Sequence, residues 1–310
     1  MRFLSLQLER RALGRTGLEV TSIGLGCAEL GDMPETFAYT VPEERALATL
    51  RAAFASPLGF LDTAASYGDG ESERRVGVVL RRMGGLPQGW VLSTKADRDL
   101  RTGDFSADQI RRSVERSLEL LGLDRLQLVF LHDPEFTTFE EATALGGPVE
   151  VLQRFKADGL VEHLGVAGGP IDMLVRFVET DAFEAVITHN RYTLLDRSAQ
   201  PLLDLASRRG LGVLNAAPYG SGLLAKGPRV YPRYAYAAAS EDLLRRAEAM
   251  AGSCEQLGVP LAAAALQFSL RDPRITSTIV GMSRPERVQQ TLDLVAVAIP
   301  DELWTRLDQL

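Results

Sequence analysis

Asp62, Tyr67, Lys95 and His132 are the residues whose types and spacing could do chemistry. Together they offer a carboxylate, a phenol, an ammonium and an imidazole, a set able to hand a proton to or from a reacting group. Asp62 and then Tyr67 follow the apolar run GFL, Lys95 closes VLST and His132 closes VFL. Each alone has an ordinary explanation. An Asp after a strand is commonly a cap or turn residue, a Tyr a wall residue, and a Lys a solvated one. A His beside apolar neighbours is more often a hydrogen-bonded core residue. What singles the four out is their joint placement where three successive apolar runs stop.

The elements that would hold them recur along the chain. Short β-type runs are SIGLG from Ser22, GFLDTA from Gly59, WVLSTK from Trp90, LQLVFLHD from Leu126, HLGVAG from His163, AVITHN from Ala185, LGVLNAA from Leu211 and TSTIVG from Thr276. Most are nearly continuous apolar stretches, the pattern of strands covered on both faces. Between them lie amphipathic helical stretches such as EERALATLRAAFAS, SADQIRRSVERSLELLG and SEDLLRRAEAMAGSCEQLG. The second opens with Ser106 three residues before Gln109, as in a capping box, and ends near Gly122. Eight strands with intervening helices fit a closed (β/α)8 barrel or a doubly wound open sheet. In a barrel, residues at the carboxyl ends of the strands face the active site.

Ahead of the first of these strands, RALGRTGLEV reads as a small hairpin with Gly14 and Gly17 near its turn, placed to plug the barrel's bottom. The longest stretch without periodicity is 219–239, after the seventh strand, rich in Gly, Pro and Tyr. A loop of that length in a compact domain is more often a lid or specificity element than a spacer. No low-complexity tract or long linker divides the sequence, so residues 1–310 are expected to form one domain.

Bulk properties narrow the function classes. The 310 residues, 45% of them hydrophobic, can bury a large core. A net charge of −7 speaks against general nucleic-acid or anionic-membrane binding, since both need clustered Lys and Arg. No stretch approaches the apolar length of a membrane span. The opening MRFLSLQLERR has too short an apolar run for a secretory signal. Cys27 and Cys254 lie far apart and in no metal-ligand spacing, so reduced thiols, a cytoplasmic location and no metal are expected.

The segments GFLDTAASYGDGESERRVG, VLSTKAD and LVFLHDPE resemble the catalytic blocks of the aldo-keto reductase superfamily. The likeness runs from RALGRTGLEVTSIGLG through NRYTLLDR to TIVGMSRPERVQQTL, essentially the whole chain. It implies a (β/α)8 barrel and an Asp-Tyr-Lys-His tetrad formed by Asp62, Tyr67, Lys95 and His132. It also implies hydride chemistry supplied by a nicotinamide that the protein orients. A phenol has an unperturbed pKa near 10, too high to exchange protons readily at neutral pH. An adjacent Lys95 ammonium is expected to favour phenolate and pull Tyr67 downward. Asp62 would hold that ammonium charged, and His132 would hydrogen-bond the substrate oxygen. Such tuning of a general acid or base is worth roughly 10²–10⁴ in rate.

The resemblance assigns cofactor contacts as well. No GxGxxG follows the first strand, so a Rossmann domain is the weaker model; Gly24, Gly26 and Cys27 make only a short glycine turn. In the family this segment and Asp62 lie along the nicotinamide ribose. Gly281, Ser283, Arg284, Arg287 and Gln290 fall where the adenosine phosphate and adenine are held, Arg287 near the start of a helix whose amides could bind phosphate. Arg287 tilts the expectation mildly toward NADP, with NAD open. Gly220 and Gly222 of the long loop complete the cofactor set.

Three segments depart from the family pattern. Ala167-Gly168-Gly169 stands where Ser-Asn often anchors the carboxamide. His189 and Asn190 stand where a Gln is common. Ala216, followed by Ala217 and Pro218, takes the place of the usual stacking tyrosine. GLGCAELGDM, NRYTLL and NAAPYGSGLL are similar to the bacterial aldose 1-dehydrogenase branch, the L-fucose and D-threo-aldose type, which turns a cyclic sugar into a lactone with NAD(P). A pyridoxal dehydrogenase belongs to the same branch. Tyr219, Tyr231, Tyr234, Tyr236 and Arg233 could supply hydroxyl partners for a sugar, or simply pack the loop. The alternatives are an NADPH-dependent aldehyde or ketone reductase and, outside enzymes, a cofactor-binding regulatory subunit. The first expects a small-molecule substrate, a sugar or an aldehyde.

Overall fold

The computed structural model describes residues 7–310. The segment 1–6, which carries the apolar start of the opening read above against a secretory signal, lies outside them. The chain begins with a hairpin, β1 (Arg10–Ala12) paired antiparallel with β2 (Glu19–Thr21). Seven barrel strands follow: β3 (Ile23–Gly26), β4 (Phe60–Asp62), β5 (Val91–Ala96), β6 (Leu126–His132), β7 (Val161–Gly168), β8 (Ala185–His189) and β9 (Gly212–Ala216). After a small hairpin of β10 (Arg233–Tyr234) and β11 (Ala237–Ala238), β12 (Ser277–Gly281) closes the ring. The order is β12-β3-β4-β5-β6-β7-β8-β9, every pair parallel. The (β/α)8 barrel is therefore the fold, and all eight expected strands are in it.

Strand alternation divides the apolar residues into two cores. Leu61, Leu92, Val129 and Leu131 point outward and pack under the surrounding helices. Phe60, Val91, Leu128 and Phe130 point inward and fill the barrel, joined from below by Leu13 and Val20 of the hairpin, both fully buried. The hairpin thus plugs the bottom as its sequence suggested. The period of two then fixes what reaches the top. Phe60 is followed on the inner face by Asp62, Val91 by Ser93 and Lys95, and Phe130 by His132. A packed barrel floor with polar groups at the carboxyl ends is the result.

Two local expectations need correction. Ser106 does cap its helix (Ala107–Leu121), its hydroxyl accepting from Gln109 N, and Gly122 ends it at φ 68°. The reciprocal half of the capping box is missing, because the Gln109 side chain donates to Asp97 O instead. The 219–239 stretch is not structureless either; it holds a short helix, Leu223–Lys226, and the β10–β11 hairpin. Among the described residues no helix is long and apolar enough to cross a membrane. Cys27 and Cys254 are both free and buried.

Candidate active site

The inward positions of β4, β5 and β6 converge at one rim. Lys95 Nζ donates to Asp62 Oδ2 at 2.7 Å and to Thr63 O at 2.6 Å, and lies 3.2 Å from Tyr67 Oη. Ser93 Oγ donates to the other oxygen, Asp62 Oδ1, at 2.8 Å. Lys95 is 2% exposed, so this charge survives only because it is paired and fully hydrogen-bonded. Tyr67 comes from the turn after β4. That turn is held against the short 3-10 helix Glu29–Gly31 after β3: a Cβ on Gly31 would lie 2.7 Å from the Tyr67 carbonyl carbon, and one on Gly68 only 1.9 Å from Gly31 O. Backbone contact this close needs glycine on both sides. The Tyr67 and His132 rings meet edge to face, centroids 5.9 Å apart.

The electrostatics differ from the sequence expectation at Tyr67. Its phenol is pushed well above the ordinary value, first by burial and then by the Asp62 carboxylate. Lys95 does not pull it down because Asp62, closer to the ammonium than the phenol is, cancels most of its field. The phenol is thus held protonated, as a donor. Burial works against the His132 imidazolium, but the carboxylates of Asp133 and Asp97 outweigh it and raise its pKa. Burial takes His189 the other way, down to about 4, so that ring is neutral near pH 7.

These groups open onto a cleft of about 760 Å³ across the top of the barrel. It runs from the four polar groups, past Gly26 and Cys27, to Gly281, Ser283, Arg284, Arg287 and Gln290 beside β12. Ala167, Gly168, His189, Ala216, Pro218 and Gly222 form the wall between. The helix Glu286–Val295 begins there; the Arg287 and Val288 amides are spent on Arg284 O and Pro285 O, so the Arg284 and Arg287 side chains are what the cleft offers an anion. Ala167, Gly168 and Ala216 leave a shelf without bulky side chains. Two buried acceptors along the wall, Glu135 Oε2 and Tyr219 Oη, have no protein partner. An elongated groove with a reactive end, an anion end and unmet polar atoms between fits a nicotinamide dinucleotide.

Asn190 and Gly220 do not reach the cleft. Asn190 is 1% exposed, at φ 58°, and its amide is spent behind the wall: Nδ2 lies 3.2 Å from His189 Nδ1, and Oδ1 accepts from Ser221 Oγ at 3.1 Å. Gly220 leaves room for the Tyr234 ring, which a Cβ there would meet at 2.2 Å. Tyr234 itself is buried, donating to Asn190 O, and Arg233 is turned to Tyr236 O, so both pack the loop. Tyr219, Tyr231 and Tyr236 do line the cleft.

The sequence reading missed four acids. Asp97 sits 2.6 Å from His132 Nδ1, and Asp133 and Glu135 line the cleft beside it. The signal for Asp97 was its place two residues past Lys95, just beyond the end of β5. Glu29 is the fourth. Its carboxylate covers Gly281, where a Cβ would lie 2.1 Å from Oε1, and burial pushes its pKa up to about 7. No sequence pattern marked it. Among the described residues no cluster of metal-ligating side chains occurs.

Comparison with known proteins identifies a family. The model of the Aldo/keto reductase family matches residues 22–310. A D-threo-aldose 1-dehydrogenase of a Pseudomonas species is 33% identical, the match covering 96% of this chain and 95% of that one. A pyridoxal 4-dehydrogenase of Microbacterium luteolum is 31% identical, over 96% of each chain. An L-galactose dehydrogenase of Arabidopsis thaliana is 31% identical, over 93% of this chain and 88% of its own. The chain belongs to the aldo/keto reductase family and is an NAD(P)-dependent oxidoreductase.

Proposed function

We propose that the chain oxidises the anomeric hydroxyl of a cyclic aldose to the lactone, with Tyr67 moving the proton. The observation that carries the proton-transfer part is the contact of Lys95 with both Tyr67 and Asp62 inside the cleft. Tyr67 Oη is the proton-bearing atom. In oxidation the phenolate, its own proton first released to solvent, takes the hydroxyl proton, and in the reverse direction the phenol gives its proton to the carbonyl oxygen. Lys95, anchored by Asp62 and Thr63 O, fixes the phenol's position and steadies its oxygen when the proton is absent. His132 meets the substrate oxygen from the other side. A nicotinamide dinucleotide would lie with its nicotinamide end along Gly26, Ala167 and Ala216 and its adenosine end at Ser283 and Arg287, and would supply the hydride chemistry.

The sugar is supported by the walls and by the relatives. Asp133, Glu135 and Tyr236 bring acceptors and a hydroxyl to the reactive end, the partners that a polyol needs. Two of the three relatives named above act on aldoses by their names. A second reading, an aldehyde or ketone reductase, is favoured by one observation: the buried phenol is held protonated, the state that donates. Steady-state assays with aldoses plus NAD+ or NADP+, with pyridoxal plus NAD+, and with aldehydes plus NADPH separate the readings. Aldose turnover is expected. Aldehyde reduction without any aldose oxidation would reject it. Tyr67→Phe is expected to lower kcat about 10²–10⁴-fold while dinucleotide binding, read by fluorescence, is retained. Unchanged turnover in that variant would remove Tyr67 from the reaction.

A further inference from the structure

His132 has a buried partner outside the four groups treated so far. Asp97 stands two residues beyond Lys95, just past the end of β5, and its side chain turns toward the end of β6. On the neighbouring strand His132 is the last residue, so the two side chains meet. Nδ1 of His132 lies 2.6 Å from Asp97 Oδ1, with the side chains 10% and 3% exposed. An ionised carboxylate offers only acceptors, so the ring nitrogen that faces it carries the proton. Nε2 is left as the ring's free position, 3.6 Å from Asp133 Oδ1 at the cleft wall.

Asp97 is itself fixed at three points, once at its carboxylate and twice at its backbone. Ser66 N donates to Asp97 Oδ2 at 2.9 Å, and Asp97 N donates to Ser113 Oγ at 2.9 Å. Gln109 Nε2, the side chain that left its helix cap unfinished, donates to Asp97 O at 3.1 Å. The helix Ala107–Leu121 therefore braces the aspartate, and the aspartate braces the ring. A base whose partner cannot swing keeps one tautomer, the arrangement that lets an imidazole present a defined face to substrate.

We propose that Asp97 is a positioning residue for His132: it holds the Nδ1 proton, fixes the ring plane, and keeps Nε2 a proton donor toward the substrate oxygen. The charged groups around the ring agree. Asp97 and Asp133 both favour the imidazolium. Lys95 opposes it, but that ammonium is already neutralised by Asp62. Glu135 on the same rim adds negative charge, Tyr67 is held neutral, and His189 across the cleft is neutral near pH 7. A charged donor at Nε2 stabilises negative charge growing on the substrate oxygen while the proton passes through Tyr67, and a charge-assisted bond of this kind is about twice as strong as a neutral one. The proposal rests on the proton-transfer reading given above.

The chain has three histidines, so ring nitrogens can be followed one by one in long-range 1H–15N spectra of the full-length protein, with His132→Gln identifying the signal. The expected spectrum at pH 7 shows Nδ1 protonated and a ring titrating above the ordinary value near 6.5. In Asp97→Asn the titration should fall by about one unit or more, and kcat by about 10-fold or more, with cofactor Kd and KM moving less. Asp97→Glu should recover part of both. A wild-type ring with only one nitrogen protonated at pH 6.5, or an Asp97→Asn ring that titrates like the wild type, overturns the proposal. The wild-type spectrum decides even if Asp97→Asn does not fold. Loss of the proton-transfer reading would show separately, as turnover that survives Tyr67→Phe.

Discussion

Two arcs of the barrel mouth are built on opposite plans. Along β4–β6 each strand ends in an ionisable group whose partners are other charges: Lys95 with Asp62, His132 with Asp97. Along β7–β9 the strands end in Ala167, Gly168, His189 and Ala216, and the nearby polar contacts run to a tyrosine-bearing loop. The first arc fixes charge positions because any unpaired member would be buried without compensation. The second fixes only a shape. Chemistry and fit are thus separable, and variants in each arc should fail in different currencies.

Lys95→Met is the harshest test of the first arc. It leaves Asp62 buried with only the Ser93 hydroxyl, and breaking such a pair costs about 3–5 kcal/mol. A large drop in thermal stability and loss of turnover are expected together. Adding Asp62→Leu removes the orphaned charge, so most of the stability should return while turnover does not. If the double variant stays as unstable as the single one, the pair is not what holds this rim. A Lys95→Met protein with near-normal turnover would show that the ammonium is dispensable to Tyr67.

How much of this was legible in the sequence follows the same division. The first arc could be read because strand alternation turns a position into a direction. Once GFLDTA, VLSTK and LVFLH are strands, Asp62, Lys95 and His132 must share a face. Asp97 lies one residue past the end of β5, beyond the reach of that rule. The rule could not give the direction of the Tyr67 shift, since that depends on whether the ammonium sits nearer the phenol or the carboxylate, a matter of ångströms. The second arc resisted because its residues act through absence of bulk and through loop geometry. Asn190 looked like a donor to the cleft, but a backbone at φ 58° turns it behind the wall. Glu29 stayed invisible since only the folded chain lays it over Gly281.

A buried acid behind the first arc shows what its packing costs. Glu73, on the helix Glu71–Met83, accepts from Thr94 Oγ1 while its Oε2 has no partner. Burial pushes its pKa up to about 7, and the nearby Asp97 carboxylate adds to the shift. A carboxyl group raised from its unfolded value stabilises the fold fully at pH below that value, and the benefit is lost as pH rises through about 7. Glu73→Gln carries no charge to bury. In urea titrations it should match the wild type near pH 4 and exceed it at pH 8 by on the order of 1–3 kcal/mol. An equal difference at both pH values would mean that Glu73 does not titrate in this window.

The second arc should respond most gently, and its two neighbouring tyrosines give the cleanest contrast. Tyr234 is buried, bonded to Thr193 and to Asn190 O, whereas Tyr236 leans over the cleft, its ring 6.0 Å from Phe37 and 6.3 Å from His189. Tyr236 thus bridges the long loop to the loop after β3 above the reactive end. Tyr234→Ala removes a core ring and is expected to cost about 3–5 kcal/mol of stability. Tyr236→Ala leaves stability within about 0.5 kcal/mol and raises substrate KM several-fold, with kcat nearly unchanged, as lost uniform binding does. If Tyr236→Ala lowers kcat and leaves KM alone, the tyrosine acts on the reacting atoms, and the line between an arc that does chemistry and an arc that only fits substrate no longer holds.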